Sequence, residues 1–236
     1  MTLIRSALFN LFFFAMTFGL TVVVGTPVRL AAPHQMLNVA RLWARIMVWA
    51  ARVLCGVRLH VSGLEHIGSG AALIASRHQS AFDTFVWLTL VPRCCYVLKR
   101  ELLRVPLFGP LLPLSGMIAV DREGGANALR GLMREGMRAV REQRQIVIFP
   151  EGTRAEPGSV MPLQPGVAAL AAATRLPVIP VVTDSGQCWG RRAFHKRPGT
   201  IHVRIFKPIP AGVGRDQLMS CLEAALRREA VENSVG

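Results

Sequence analysis

The chain has 236 residues, 51% of them hydrophobic, and a formal net charge of +14, so it suits one sizeable domain with an appendage. An apolar and strongly basic composition favours an anionic membrane surface over nucleic acid as a partner, because no polar basic stripe with interleaved aromatic residues stands out. The five cysteines show no C-x-x-C spacing, which argues against a structural zinc site and a disulfide framework.

The first element is an uncharged apolar run from Ala7 to Val28, with Arg5 before it and Arg29 after it. As a helix, this run would measure about 33 Å, enough to cross a hydrocarbon core of about 30 Å. A signal peptide is the alternative, but it would have a shorter apolar core and an A-x-A cleavage site. Arginines at both ends leave the orientation in a membrane open.

The second element, Met36 to Val57, has a helical pattern with a wide apolar face. Arg41, Arg45 and Arg52 fall within about 40° of one another on a helical wheel. This pattern favours a helix that lies in the lipid interface. An ordinary domain helix with a solvated arginine face is the alternative.

From residue 57 onward, β-rich runs alternate with helical patterns, which predicts an α/β fold with a largely parallel sheet of about seven strands covered by helices. The predicted strands are Val57–Val61, Ala72–Ala75, Cys94–Leu98, Met117–Asp121, Gln145–Phe149, Val178–Val182 and Thr200–Phe206. The predicted helices are Ala81–Leu90, Gly125–Glu142, Gly166–Thr174 and about Asp216–Ala230. The chain thus divides into membrane-anchoring helices over residues 1–56 and an α/β domain over residues 57–236.

Polar residues follow several of these strands. Open α/β sheets bind ligands outside the carboxyl ends of their strands, so polar residues that follow parallel strands converge on one edge. The residues in such positions are His78, Lys99, Arg100, Arg122, Glu151 and Arg154. This convergence predicts a polar site at the carboxyl edge.

His78 and Asp83 form an H-x4-D pair after the second predicted strand. The two side chains would diverge on a continuous helix, so they can meet only if His78 lies in a loop and the helix begins near Ser80. Ser80 and Asp83 also have the spacing of a capping box, which alone would explain Asp83. The chemical interpretation is that His78 acts as general base and Asp83 orients it.

The stretch Phe149–Arg154 reads F-P-E-G-T-R and leaves the fifth predicted strand through a turn at Gly152. The guanidinium of Arg154 suits bidentate binding of a phosphate, and Glu151 can orient that arginine or a substrate hydroxyl. The alternative is a strand-to-loop turn with a surface ion pair.

The H-x4-D pair and F-P-E-G-T-R resemble signatures of the glycerophospholipid acyltransferases, and two further blocks resemble that family in order: Gly116–Arg122 and Leu176–Val181. The resemblance implies catalytic roles for His78 and Asp83. It implies a phosphate site formed by Arg122, Glu151, Gly152, Thr153 and Arg154, and a head-group or donor contact at Lys99 and Arg100. Arg77, where the family commonly has Asn, and Gln164, where Lys is usual, depart from its pattern.

The resemblance also implies the reaction. An acyl group passes from acyl-CoA or acyl-carrier protein to a lysophospholipid, most closely 1-acyl-sn-glycerol-3-phosphate, without a metal or bound cofactor. The implied location is a bacterial inner membrane, with the catalytic domain on its cytoplasmic side. Two alternatives stay open: another acceptor, such as lyso-ornithine lipid or glycerol-3-phosphate, and a non-catalytic protein that binds anionic lipid.

Overall fold

The computed structural model describes residues 2–121, 124–159 and 161–232. The helices are α1 Thr2–Leu20, α2 Thr26–Ala31, α3 Met36–Cys55, α4 Asp83–Leu90, α5 Leu111–Leu114, α6 Gly125–Arg141, α7 Gly166–Thr174, α8 Ser185–Cys188 and α9 Arg215–Glu232. The strands are β1 Val57–Ser62, β2 Ala72–Ser76, β3 Cys94–Lys99, β4 Ile118–Val120, β5 Gln145–Ile148, β6 Val178–Thr183 and β7 Gly199–Ile205. A π-helical turn, Thr21–Gly25, joins α1 to α2.

The strands form one sheet in the order β1-β7-β6-β2-β5-β3-β4. Every neighbouring pair is parallel except β6 and β7, so β1 and β7 run against the other strands. The predicted α/β class with a largely parallel sheet of about seven strands is therefore confirmed. His78 follows β2 and Glu151 follows β5, and these two strands are direct neighbours.

The two faces of the sheet are covered by different helices. Strand β2 is buried at every position, as expected for a central parallel strand. Ile74 packs in a core with residues of α3 and α4, whereas Leu73 and Ala75 pack in a second core with residues of α6, α7 and α9. This alternation follows from the period of two in a strand, and it fixes the central strand between two layers of helices.

The N-terminal helix, Thr2–Ala31, is long and apolar enough to cross a membrane, by length and composition, with a mean hydropathy of 2.1. Its large apolar side chains are mostly exposed, among them Leu11, Phe14 and Val23. Such a surface suggests association with a membrane. The predicted division of the chain at residue 56 stays a prediction.

Helix α3 combines features of both sequence interpretations. It buries Ala44 and Met47 in the core on the sheet, as a domain helix does. It also exposes Trp49 at 57% beside the exposed Arg45 and Arg52. One face of α3 therefore belongs to the folded domain, while the other has the mixed apolar and basic character of an interfacial helix.

Lys196, in the segment between α8 and β7, fastens α1 to the α/β domain. Its backbone amide donates to the hydroxyl of Ser6 at 2.9 Å, and its ammonium group donates to the side-chain oxygen of Asn10 and to the carbonyl of Phe194. The ammonium also lies 4.6 Å from the ring centroid of Trp189. Lys196 is 3% exposed, and we refer to its contacts with Ser6, Asn10 and Trp189 as the Lys196 clamp.

Candidate active site

His78 and Asp83 meet at the carboxyl edge of the sheet. His78 lies in the loop after β2, and its Nδ1 is 3.1 Å from Oδ2 of Asp83 at the start of α4. Because a carboxylate only accepts hydrogen bonds, Nδ1 carries the proton and Nε2 is left as the basic nitrogen. The loop position predicted for His78 is the one that lets the two side chains meet.

The carboxylate of Asp83 is also the anchor of this loop. Its Oδ2 accepts from the backbone amides of Gln79 and Ser80, both at 2.8 Å. The prediction that the helix begins near Ser80 was wrong, because α4 begins at Asp83. The hydroxyl of Ser80 accepts from the amide of Phe82, so residues 80–82 form a tight turn and only the Asp83 half of the capping box is present.

Aromatic groups hold the pair in place from two sides. The imidazole of His78 stacks on the ring of Phe149, with centroids 4.1 Å apart and planes at 19°. The hydroxyl of Tyr96 donates to the backbone carbonyl of Asp83 at 3.1 Å and accepts from the amide of Trp87. The side chain of His78 remains 11% exposed, which leaves it an opening to a substrate. Sequence reasoning gave no role to Phe149 or to Tyr96, the single tyrosine of the chain.

Glu151 ties the F-P-E-G-T-R turn to the histidine. Its Oε2 accepts from the backbone amide of His78 at 3.0 Å, and its Oε1 lies 3.5 Å from Nε of Arg77. The amide of Ala155 in turn donates to the carbonyl of His78 at 2.7 Å. Burial raises the pKa of Glu151, while the amide of His78 and the charge of Arg77 act in the opposite direction. These contacts fix the backbone of His78 on both sides.

Arg154 is half-buried beside the pair. Burial lowers the pKa of its guanidinium, the negative charge of Asp83 opposes that shift, and Arg191 and Arg192 reinforce it. We call Arg154, Arg191 and Arg192 the arginine cluster. The three positive charges repel one another, and a bound anion would relieve that repulsion. The sequence analysis assigned no role to Arg191 or Arg192.

The turn that presents Arg154 depends on Gly152. Its φ is +71°, and a Cβ at this position would lie 3.1 Å from Cγ of Gln164. The amide of Gly152 donates to the carbonyl of Phe149 at 3.0 Å, which closes the turn. Thr153 and Arg154 follow directly, both partly exposed.

The remaining predicted site residues lie farther along the same edge. Lys99, at the end of β3, pairs with Glu101 at 3.1 Å, and Arg100 pairs with Asp121 at 3.6 Å. All four side chains in these two pairs are about half exposed or more. Arg122 lies outside the described residues. A role of Lys99 and Arg100 in binding a head group or donor stays a prediction.

The described residues include no group of three His, Cys, Asp or Glu side chains that could hold a metal ion. The side chains brought together at this site are a positioned imidazole, an orienting carboxylate and a nearby cationic cluster. Together they can take a proton from a hydroxyl and hold an anionic substrate.

The sequence profile of the acyltransferase family matches residues 58–184, more than half of the chain. The chain belongs to the acyltransferase family. The matched segment contains both members of the His78–Asp83 pair and the whole of Phe149–Arg154. The family resemblance drawn from these motifs is confirmed.

Curated relatives from bacteria, plants and animals extend the family match. The 1-acyl-sn-glycerol-3-phosphate acyltransferase of Pseudomonas aeruginosa is 40% identical over 163 residues, which cover 69% of this chain and 63% of that protein. The enzyme of the same name from Limnanthes alba is 31% identical over 198 residues, or 83% of this chain and 68% of that protein. The human 1-acyl-sn-glycerol-3-phosphate acyltransferase alpha is 32% identical over 171 residues, 70% of this chain and 60% of that protein. The chain thus spans about two thirds of the length of these acyltransferases.

A solved structure agrees on the fold. The crystal structure of the 1-acyl-sn-glycerophosphate acyltransferase of Thermotoga maritima superposes with a TM-score of 0.78 at 22% sequence identity. The superposition covers 100% of this chain and 99% of that one. This chain therefore shares that fold over its whole length.

Proposed function

We propose that this acyltransferase moves a fatty acyl group from acyl-CoA or acyl-carrier protein to the free hydroxyl of 1-acyl-sn-glycerol-3-phosphate, giving phosphatidic acid. The activity for which the relatives from Pseudomonas aeruginosa, Limnanthes alba and human are named supports this reaction. The observation that carries it is the His78–Asp83 pair, joined at 3.1 Å and set beside the half-buried Arg154.

In the proposed mechanism, His78 is the general base. Nε2 takes the proton of the acceptor hydroxyl as its oxygen attacks the carbonyl carbon of the thioester. The carbon–sulfur bond then breaks, and the imidazolium returns the proton to the leaving thiolate. Asp83 holds the tautomer and stabilises the imidazolium, and a general base positioned in this way contributes roughly 10²–10⁴-fold.

The arginine cluster would bind the phosphate of the acceptor. Guanidinium groups match phosphate oxygens in pairs, and Arg154 is close enough to Asp83 for their charges to interact. A phosphate bound there would set the glycerol hydroxyl near Nε2 of His78. Arg122, which the family resemblance adds to this site, lies outside the described residues.

The proposed location is a bacterial inner membrane, with the active site on the cytoplasmic side. The exposed apolar surface of the Thr2–Ala31 helix supports association with a bilayer. A lysophospholipid could then reach the site from the membrane, while the thioester donor arrives from the aqueous side.

The test is thiol release from acyl-CoA by detergent-purified protein, with and without 1-acyl-sn-glycerol-3-phosphate. We expect release that depends on the acceptor and is lost in His78→Ala. His202→Ala is the matched control, because His202 also pairs with an aspartate, Asp184, with 2.7 Å between Nδ1 and Oδ2.

Acyl-carrier protein as donor, and glycerol-3-phosphate and lyso-ornithine lipid as acceptors, complete the panel. Thiol release that persists in His78→Ala would contradict the role of His78 as general base. A faster reaction with glycerol-3-phosphate or lyso-ornithine lipid would reassign the acceptor, and salt-sensitive vesicle binding without any turnover would favour a lipid-binding protein.

A further inference from the structure

Arg77 is a buried cation directly before the catalytic pair, and the mechanism above does not use it. It is 2% exposed. Its Nε lies 3.5 Å from Oε1 of Glu151, and its Nη1 donates to the backbone carbonyl of Leu226 at 3.1 Å. Its Nη2 donates to the backbone carbonyl of Ser159.

Arg77 and these partners belong to three parts of the fold. Arg77 itself extends the end of β2, Glu151 and Ser159 belong to the segment after β5, and Leu226 lies in α9. Burying a charge is costly unless it is paired and hydrogen-bonded, so the cation holds these three parts in one arrangement. A guanidinium spreads its donors over three nitrogens in a planar fork, so it can reach acceptors that lie farther apart than those a single ammonium group can reach.

The contacts of Arg77 lead directly to the catalytic loop. Glu151 is held by Arg77 on one oxygen and accepts the amide of His78 on the other. Ser159 lies beyond Arg154, so the same guanidinium also holds the far end of the segment that presents Arg154. A single side chain thus supports both the base and the arginine proposed to bind the phosphate.

We propose that Arg77 is a positioning residue: by pinning Glu151 and the segment 151–159 to helix α9, it sets the backbone of His78 and the place of Arg154. The proposal rests on the function proposed above, in that His78 is taken as the base. Arg77 acts through Glu151 and need not touch the substrate.

The experiment compares Arg77→Asn and Arg77→Lys with a matched control, Arg144→Asn. Arg144 also joins a carboxylate to a backbone carbonyl, because its Nε lies 2.6 Å from Glu142 and its Nη1 donates to Ser115 at 3.1 Å. It directly precedes β5, at the opposite end of that strand from Glu151. Arg77→Asn therefore loses an ion pair and two carbonyl contacts, and Arg144→Asn loses an ion pair and one carbonyl contact. Only the contacts of Arg77 lie beside His78.

Two readouts separate positioning from general stability. The first is kcat with saturating acceptor and donor, which we expect to fall by roughly tenfold to a hundredfold in Arg77→Asn, because small misplacements of catalytic groups have effects of that size. The second is hydrogen exchange of the His78 amide, which we expect to accelerate in Arg77→Asn because its acceptor is no longer held. Arg144→Asn should lower the melting temperature while leaving both readouts at the wild-type value.

The pH profile adds a third readout. The charged groups that act on Glu151 are Arg77, which favours its ionised form, and Asp83, which disfavours it, while the amide of His78 donates to it. Removal of the Arg77 charge raises the pKa of Glu151 further, so Glu151 becomes protonated at a higher pH than in the wild type. As the pH is lowered, Arg77→Asn should therefore begin to lose activity before the wild type does. Arg77→Lys keeps the charge and should keep the wild-type acid limb, although its kcat falls because it cannot replace the carbonyl contacts.

The outcomes are distinct. An Arg77→Asn variant with wild-type kcat, acid limb and His78 exchange would overturn the proposal, as would equal losses in Arg144→Asn. If the wild-type protein transfers no acyl group to any acceptor tested, the proposed function fails. Even then, faster hydrogen exchange of the His78 amide in Arg77→Asn, but not in Arg144→Asn, would still support the positioning role.

Discussion

Oε2 of Glu151 accepts the backbone amide of His78 at 3.0 Å, a contact between residues 73 positions apart. The acidic residue of F-P-E-G-T-R therefore accepts a hydrogen bond from the backbone of the histidine in H-x4-D. This contact links the two motifs. Glu151 therefore has a structural role that is separate from any contact with substrate. Its protonation state should affect how firmly the loop that carries His78 is held.

Stability should depend on pH through Glu151. Burial raises its pKa, so the folded state holds this proton more tightly than the unfolded chain, where glutamate titrates near about 4.3. The resulting stabilisation is present at low pH and is lost as pH rises through the raised value. The control is Glu151→Gln, whose side chain does not titrate. The difference in melting temperature, wild type minus Glu151→Gln, should fall as pH is raised from 4 to 8. A difference that does not vary with pH would contradict the raised pKa.

Asp83→Asn should remove catalysis but retain the loop. The amide oxygen of asparagine can still accept from Gln79 and Ser80, but it no longer stabilises an imidazolium. We expect kcat to fall by about 10²–10⁴-fold with little change in melting temperature. Asp184→Asn is the control, because it alters the separate pair with His202, and its kcat should match the wild type. Unchanged kcat in Asp83→Asn would remove the aspartate from the mechanism.

Arg154→Ala should act mainly on binding of the acceptor. A hydrogen bond to a charged group contributes about 1.5–3 kcal/mol, which corresponds to a rise of about ten- to a hundredfold in the acceptor KM. The KM for acyl-CoA should stay the same. Arg134→Ala, on the exposed side of α6 with 77% of its side chain accessible, is the control for loss of charge alone. Equal acceptor KM in wild type and Arg154→Ala would count against the phosphate site.

Gly152→Ala should harm both stability and activity. An alanine at its φ of +71° costs about 1–2 kcal/mol, and its Cβ would press on Gln164. Gly212→Ala carries the same kind of strain, since φ is +82°, but no atom lies within 4 Å of its Cβ. We expect Gly212→Ala to lower the melting temperature with normal turnover, and Gly152→Ala to lower it further and reduce acceptor-dependent turnover. Equal effects of both substitutions would show that the turn does not position Arg154.

The order of strands and helices could be predicted because hydrophobic periodicity is a local property. Each predicted strand overlaps an observed one, and the segment between β6 and β7 carries no helical pattern longer than α8. The antiparallel pairing of β6 with β7 was not predicted, because residues 184–198 are also long enough for a parallel crossover. The start of α4 was misjudged because a capping box does not reveal that a tight turn precedes the helix.

The long-range contacts of the site could be predicted only in part. The carboxyl-edge rule predicted that His78 and Glu151 lie at the same edge, because it needs only that their strands run parallel. The role of Arg77 depends on Leu226, 149 positions away, and on the direction of a single guanidinium. No local pattern encodes such a contact, and the composition of a loop does not tell a buried arginine from a solvated one.

The Lys196 clamp has a consequence for the order of events during synthesis. Its partners Ser6 and Asn10 leave the ribosome first, while Lys196 follows 190 positions after Ser6. At about 5–20 residues per second, roughly ten to forty seconds separate the two. Through this interval the apolar N-terminal helix has no ammonium group or Trp189 ring to receive it. Helix α3 is synthesised long before Lys196, and its Trp43 donates to the hydroxyl of Thr17 in α1 at 2.9 Å. The two N-terminal helices can therefore pair with each other well before the α/β domain supplies the clamp that fastens them.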